Sequence, residues 1–344
     1  MVRALALRAD PWSYVLFVRS SKESWLQEVN RDRVTIVEVP FSHYSLAEQW
    51  SFPGLIGRSG CDLFYAPHFN VPFRCSVPFV STIHDLILHR FPGEASLFKR
   101  LAYRFVIGNT VRNASRLITV SDFTAREIGY FYGESFRERT AVIHPGVSSL
   151  FAPRSSDDQV NIRQKFQLTK PFLLYVGGKK QHKNLPVLLE AFDAAGLPDL
   201  DLMLVTQNGV DSRGRPNVRI LDAVSESDLA ALYSAALGSV TATLAEGFYL
   251  PALEAMACGC PVLATNVGAI PEIFGRHALI VEPTMEQLAD GMKKIVTDPL
   301  IRSAGAHSSR IGFAKDFSWK KSAEETAKLF GGVLSSSNQR ELRM

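Results

Sequence analysis

Short apolar runs rich in β-branched residues alternate along the chain with segments of helical period, the rhythm of βαβ units and a parallel sheet. In the first half the runs are Tyr14–Val18, Val34–Val39, Leu63–Ala66, Phe79–Ile83, Leu117–Val120 and Thr140–Ile143. Between the fourth and fifth, the stretch Leu97–Asn113 spaces Leu97, Leu101 and Phe105, then Tyr103, Val106, Ile107, Thr110, Val111 and Ala114 at three- and four-residue steps, which reads as an amphipathic helix. His144-Pro145-Gly146 closes this series, and the polar stretch Pro153–Asp158 reads as a linker. A second series follows: Phe172–Val176, Leu202–Val205, Val218–Leu221, Gly238–Thr241, Val262–Ala264 and Ala278–Val281. Helical period returns from Ser318 to Phe330, ahead of a polar, fraying tail. The pattern predicts an α/β protein with two Rossmann-like domains, residues 1–150 and 151–317, and a C-terminal helix within 318–344 that packs back on the first.

Length and charge refine this picture. The 344 residues exceed what one core usually supports. The net charge of +4 is too small to mark a nucleic-acid binder. It lies wholly in the first half, where residues 1–150 hold 17 Lys/Arg against 13 Asp/Glu, while the remainder is balanced at 21 each. Cys61, Cys75, Cys258 and Cys260 are too few for a disulfide scaffold and lack the spacing of a structural zinc site; Cys258-Gly-Cys260 sits in an apolar run and reads as packing. The start, with Arg3 and Arg8, offers no signal-peptide core, and the apolar stretch from Ala255 to Pro271 is broken by glycines and prolines. A cytoplasmic protein is expected.

Three segments carry candidate chemistry. In Glu246-Gly-Phe-Tyr-Leu-Pro-Ala-Leu-Glu254, a turn leads into a helix that starts near Pro251 and stops at Gly259. The amides at such a start attract anions, and Glu254 is expected on the first turn. Read alone, the two carboxylates are equally a helix-capping pair. Tyr175-Val-Gly-Gly-Lys-Lys-Gln-His-Lys-Asn184 ends a strand in a glycine turn beside four potential cations, the combination that a diphosphate requires; a solvated basic loop is the alternative, since GxGxxG and GxxxxGK are both absent. Phe79-Val-Ser-Thr-Ile-His84-Asp85 places an ionisable pair at a strand's carboxyl end, where open α/β sheets bind ligands, or where the two side chains satisfy each other.

Together these segments resemble the family-four glycosyltransferases, retaining enzymes of the two-domain B-type fold in which the donor lies in a cleft between domains. Arg116-Leu-Ile-Thr-Val-Ser121, Val142-Ile-His-Pro-Gly-Val147, Asp228-Leu-Ala-Ala-Leu-Tyr233 and Ala264-Thr-Asn-Val-Gly-Ala-Ile-Pro-Glu272 extend the likeness, and the Glu-x7-Glu segment is its specific part. The resemblance implies that Glu254 bonds the donor ribose and that Glu246 bonds the transferred sugar, assisted by amides of Gly247, Phe248, Tyr249 and Leu250. It places Lys183, with Gly178 and His182, at the diphosphate, and His84 at the transferring sugar, where it steadies developing charge. Catalysis then rests on stabilising the departing nucleotide diphosphate, with no cofactor and no metal, and the carboxylates are not a glycosidase pair.

Departures from the family pattern qualify the transfer. His182 replaces the usual arginine, Tyr249 replaces a common glycine, and Met1 falls where the family is already inside its first helix, so the first domain is expected to lack its N-terminal strand and glycine-rich loop. Asp199-Leu-Asp201 mimics a DxD metal motif but precedes its strand rather than following it. The acceptor is expected to be a glycan or a lipid-linked molecule, and His84-Asp85-Leu86 with Tyr65-Ala-Pro-His68 resembles the polysaccharide mannosyltransferase branch. A sugar-nucleotide epimerase of the same fold and a silent sugar-nucleotide binder are the alternatives. Lys99, Arg100, Arg104, Arg112 and Arg116 offer either peripheral docking on an anionic membrane or ordinary solvated charge.

Overall fold

The computed structural model describes residues 1–341 except 10, 43, 207–211, 213 and 223. Twelve strands form: β1 (Tyr14–Val18), β2 (Val34–Glu38), β3 (Phe64–Ala66), β4 (Phe79–Ile83), β5 (Arg116–Thr119), β6 (Thr140–Val142), β7 (Phe172–Val176), β8 (Asp201–Val205), β9 (Val218–Leu221), β10 (Gly238–Val240), β11 (Val262–Thr265) and β12 (Leu279–Val281). Each coincides, within a residue or so at either end, with an apolar run read from the sequence. All pairings among them are parallel.

The chain divides into two compact units. The first holds Met1–Leu86, Ala95–Gly146 and the C-terminal segment from Trp319; its sheets run β3-β4-β5-β6 and β1-β2. Val80, Ile118 and Ile143 form one side of its core, and Leu5 with Ala323, Ala327, Phe330 and Val333, from the C-terminal helix Trp319–Glu341, covers them. The second unit holds Val147–Ser318 together with Ile87–Glu94, a short piece that the chain contributes from within its first half.

The sheet of the second unit has the order β12-β11-β10-β7-β8-β9. In a doubly wound sheet the order reverses direction between its first and fourth strands, here β7 and β10, and the loops leaving those strands part to leave a crevice at their carboxyl ends. Helices cover both faces, so β7 reads Phe-Leu-Leu-Tyr-Val and is buried almost throughout. The helices Leu185–Ala195 and Met285–Thr297 pack over the core of Leu173, Leu202, Leu204, Val240 and Leu263.

One expectation about a helix face is corrected. The helix Leu97–Asn113 forms, but it buries Tyr103, Ile107, Gly108, Thr110 and Val111, while Leu97, Phe98, Leu101 and Phe105 stay exposed. Its apolar positions fall on two arcs, and only one meets the sheet. Among the described residues no helix is long and apolar enough to cross a membrane. All four cysteines are free; Cys258 and Cys260 are buried, and burial pushes both thiols up to about 12, which leaves them unreactive packing groups.

Candidate active site

The second unit gathers its polar groups at the switch point. β7 delivers Gly177 and Gly178, then the one-turn helix Gln181–Lys183; β10 delivers the loop from Thr241 to Glu246. Lys183 and Glu246, far apart in sequence, therefore meet because their strands are neighbours. Lys183 Nζ donates to Glu246 Oε1 at 2.5 Å, with the side chains 18 % and 9 % exposed. Thr243 Oγ1 lies 3.0 Å from the same carboxylate oxygen and 3.1 Å from the His182 carbonyl, so its single proton serves one acceptor at a time. The buried Tyr175 hydroxyl donates to the Gly178 carbonyl at 2.9 Å, and its ionisation is disfavoured first by burial and then by the Glu246 charge. A Cβ on Gly177 would stand 2.7 Å from that hydroxyl, whereas one on Gly178 would meet nothing within 4 Å. Gly178 thus leaves its backbone open to approach.

Two further features shape the loop that carries Glu246. Gly268, from the segment after β11, has φ +59°, and a Cβ there would lie 2.4 Å from the Glu246 carbonyl oxygen; Ala269 N donates to that same carbonyl at 3.0 Å. Only glycine permits this approach. Tyr249, which replaces a family glycine, nevertheless adopts the left-handed conformation at φ 78°. A non-glycine residue there costs of order 1–3 kcal/mol. Burial of the ring and the Lys183 ammonium 5.6 Å from its centroid offset part of that strain. Phe248 turns its ring inward against Phe274 and Phe317, each at 5.8 Å, so its contribution to the loop is through the main chain. Gly247 is buried within the same turn.

The helix that follows spans Leu250–Ala257, has Pro251 in its first turn and carries no side-chain cap at its N-terminus. Glu254 is corrected from the first turn to the second, because the helix starts at Leu250 and its opening turn holds no acidic residue. The capping alternative for this carboxylate is thereby removed. Glu254 is half-buried without a cation against it, and its carboxyl is raised to about 7, first by burial, then by the negative charge of Glu226; the nearby Tyr233 hydroxyl opposes the shift but does not reach hydrogen-bond geometry.

His182 also departs from expectation. It is not an open cation: its ring is 4 % exposed and faces Glu94, with Nδ1 2.7 Å from Glu94 Oε1, and its main-chain N–H donates to the same oxygen at 2.7 Å. Glu94 went unnoticed in the sequence, where nothing local links it to a residue 88 positions on.

His84 belongs to the first unit. It sits exposed at the carboxyl end of β4, and its Nε2 lies 2.8 Å from the Pro67 carbonyl rather than serving Asp85. A bond to a carbonyl places the proton on Nε2, so in the neutral ring Nδ1 is an acceptor. Tyr65, from β3, buries its hydroxyl against Thr82 Oγ1 at 2.9 Å. Asp201 opens β8 as a buried residue, which agrees with setting aside the DxD likeness.

Comparison with known proteins adds to this geometry. Residues 4–149 match the family model described as Glycosyltransferase Family 4, and residues 170–298 match Glycosyl transferases group 1. The chain is 29 % identical over 280 residues to the O-antigen chain mannosyltransferase B of Escherichia coli, covering 77 % of this chain and 72 % of that protein. In structure it is similar to the sucrose-phosphate synthase of Thermosynechococcus elongatus, with a TM-score of 0.74 at 20 % identity over 97 % of this chain and 92 % of the other. It is also similar to Anabaena HepE in complex with UDP-glucose, with a TM-score of 0.73 at 17 % identity over 93 % and 99 % of the two chains. These likenesses share the two-unit parallel α/β architecture.

Proposed function

Because this chain belongs to the family-4 glycosyltransferases, we propose that it moves a hexose from a nucleotide-diphosphate sugar to a glycan or lipid-linked acceptor, with retention of configuration. The observation that carries the reading is the meeting of Lys183 and Glu246 at the switch point of a doubly wound sheet, beside the open backbone of Gly178. A donor entering there exchanges one anion for another at Lys183. The diphosphate takes the ammonium, and the released Glu246 carboxylate accepts hydroxyls of the sugar. The bond from the anomeric carbon to the diphosphate breaks, the acceptor oxygen forms its bond on the same face, and the acceptor's proton leaves with the nucleoside diphosphate. Lys183 and the preorganised amides of the loop and of the helix start stabilise the departing charge. Glu254 binds the ribose. His84 contributes an imidazole whose tautomer is set by Pro67.

Similarity to a mannosyltransferase of O-antigen synthesis supports mannose as the sugar and a polysaccharide as the acceptor. The test is release of nucleoside diphosphate from a panel of UDP- and GDP-hexoses, GDP-mannose included, with and without EDTA. Turnover that persists in EDTA is expected, since Lys183 supplies the countercharge. A rate abolished by EDTA and restored by manganese assigns that role to a metal and removes it from Lys183.

The exposed arc of the helix Leu97–Asn113 supports peripheral docking on an anionic membrane. Phe98 and Phe105 are 84 % and 66 % exposed, and Phe105 stacks near Phe73 at 4.7 Å; Lys99, Arg100 and Arg104 stand among them. Apolar side chains interleaved with basic ones suit the headgroup boundary, and each basic residue adds about 1 kcal/mol there. Salt-sensitive co-sedimentation with anionic vesicles, lost in Arg100→Glu/Arg104→Glu, is expected; absence of binding at low salt leaves these as solvated charges.

A further inference from the structure

Besides the groups placed at the donor, one buried ionic contact in the second unit has no part in the chemistry. The piece Ile87–Glu94 begins three residues after His84, and its last residue pushes a carboxylate against the loop that precedes Lys183. The Glu94 side chain is 5 % exposed. Burying a carboxylate is costly unless its oxygens are well bonded, so a site that retains one gains orientation that an apolar contact would not give. Here a single oxygen takes the His182 main-chain N–H and faces Nδ1 of the same residue, each at 2.7 Å. The Phe91 ring closes on the imidazole at 6.1 Å between centroids. On its other side, the His182 carbonyl accepts from Leu244 N at 2.6 Å and from Thr243 Oγ1 at 3.1 Å, in the loop that ends at Glu246.

His182 is therefore held at its amide, its ring and its carbonyl, by two chain segments remote from it in sequence. The next residue is Lys183, and the one after, Asn184, is locked in the left-handed region at φ 52°. We propose that Glu94 is a positioning residue for the diphosphate-binding loop: through His182 it fixes the backbone from which Lys183 reaches, and it ties that loop to the one bearing Glu246. This rests on the reading of Lys183 as the diphosphate's countercharge. The clasp acts on the terminal phosphate, since Lys183 is the group it places; nucleoside recognition, which falls to Glu254 on another element, is independent of it.

That independence supplies the test. Affinities of UDP, GDP, UMP and GMP are measured by calorimetry on the full chain for wild type, Lys183→Ala, Glu94→Ala, Glu94→Asp and Glu94→Gln. Glu94→Ala is expected to weaken the preferred diphosphate about tenfold and to leave its monophosphate within twofold. Glu94→Gln, which keeps an acceptor for the His182 amide, is expected to recover most of that loss. If Glu94→Ala does not fold, Glu94→Asp carries the test, because its shorter side chain withdraws the carboxylate without removing its charge, and a diphosphate-selective loss of about threefold or more is expected. Equal weakening of mono- and diphosphate, or no weakening in a folded Ala or Asp variant, overturns the clasp. If Lys183→Ala itself leaves diphosphate affinity unchanged, the donor-site reading fails instead; a selective loss in Lys183→Ala with none in the Glu94 variants leaves that reading standing and removes Glu94 from it.

Discussion

The two ends of the segment from Glu246 to Glu254 hold the same side chain in opposite states. Glu246 lies in a loop and is buried against an ammonium and a hydroxyl, Lys183 Nζ and Thr243 Oγ1. Glu254 lies on a helix, shielded from water, with no cation against it and with Glu226 adding to its repulsion. A carboxylate that is paired in the empty protein must be released before it can bind a sugar. One that is left unpaired is unstable until a ligand reaches it, and a donor hydroxyl supplies what the fold withholds. The contrast assigns the pair different tasks: Glu246 belongs to an exchangeable ionic contact at the reacting end, and Glu254 to a waiting acceptor.

Breaking the paired end has the largest expected effect. Lys183→Met removes the countercharge of both Glu246 and the leaving diphosphate, and kcat is expected to fall about 10²- to 10³-fold, the range for loss of one preorganised charge-stabilising donor. The same substitution strands a buried carboxylate and lowers stability by up to about 3 kcal/mol. Adding Glu246→Gln should restore the melting temperature and not the rate. If the double variant regains turnover, Lys183 serves only to neutralise Glu246.

At the unpaired end the sign of the pH dependence discriminates. The Glu254 carboxyl titrates at about 7 in the folded state against 4.5 ordinarily, so the folded chain holds this proton more tightly than the unfolded one. Stability therefore falls as pH rises between those two values, and above about 7 the full cost is present, at most about 3 kcal/mol and less where water reaches the side chain. Glu254→Gln is expected to melt higher than wild type at pH 8 and alike at pH 4. A lower melting temperature at pH 8 would mean that the carboxylate has a stabilising partner.

The smallest of the three effects is on binding. Glu254→Ala is expected to weaken the nucleotide sugar by about 1–3 kcal/mol in calorimetry, the loss for a charged hydrogen bond to a hydroxyl. Unchanged affinity in this stabilised variant would confine the Glu254 carboxylate to a structural liability and erase its difference in purpose from Glu246.

Local pattern was sufficient for the strands. A buried parallel strand must be apolar on both faces and a turn must break it, so β7 and the eleven others announce themselves through a few adjacent residues. Glu246-x7-Glu254 was legible for a similar reason: turn, proline and helix are consecutive, and the residues that bracket them are named by position alone. The helix Leu97–Asn113 marks where this stops, because spacing identifies a helix with two apolar arcs but not which arc the sheet will cover.

What belonged to the sequence by itself was thus the succession of elements, the glycine-rich turn after β7 and the types of charge available at each strand end. Tertiary structure alone decided which charges meet. Sheet order set β10 beside β7 and so brought Glu246 to Lys183, and the return of Ile87–Glu94 to the second unit turned His182 from a loop cation into a buried, clasped ring. Hydrophobic period acts over a few residues and is written locally. An ion pair acts over a few ångströms, and only the fold determines which residues come within that distance.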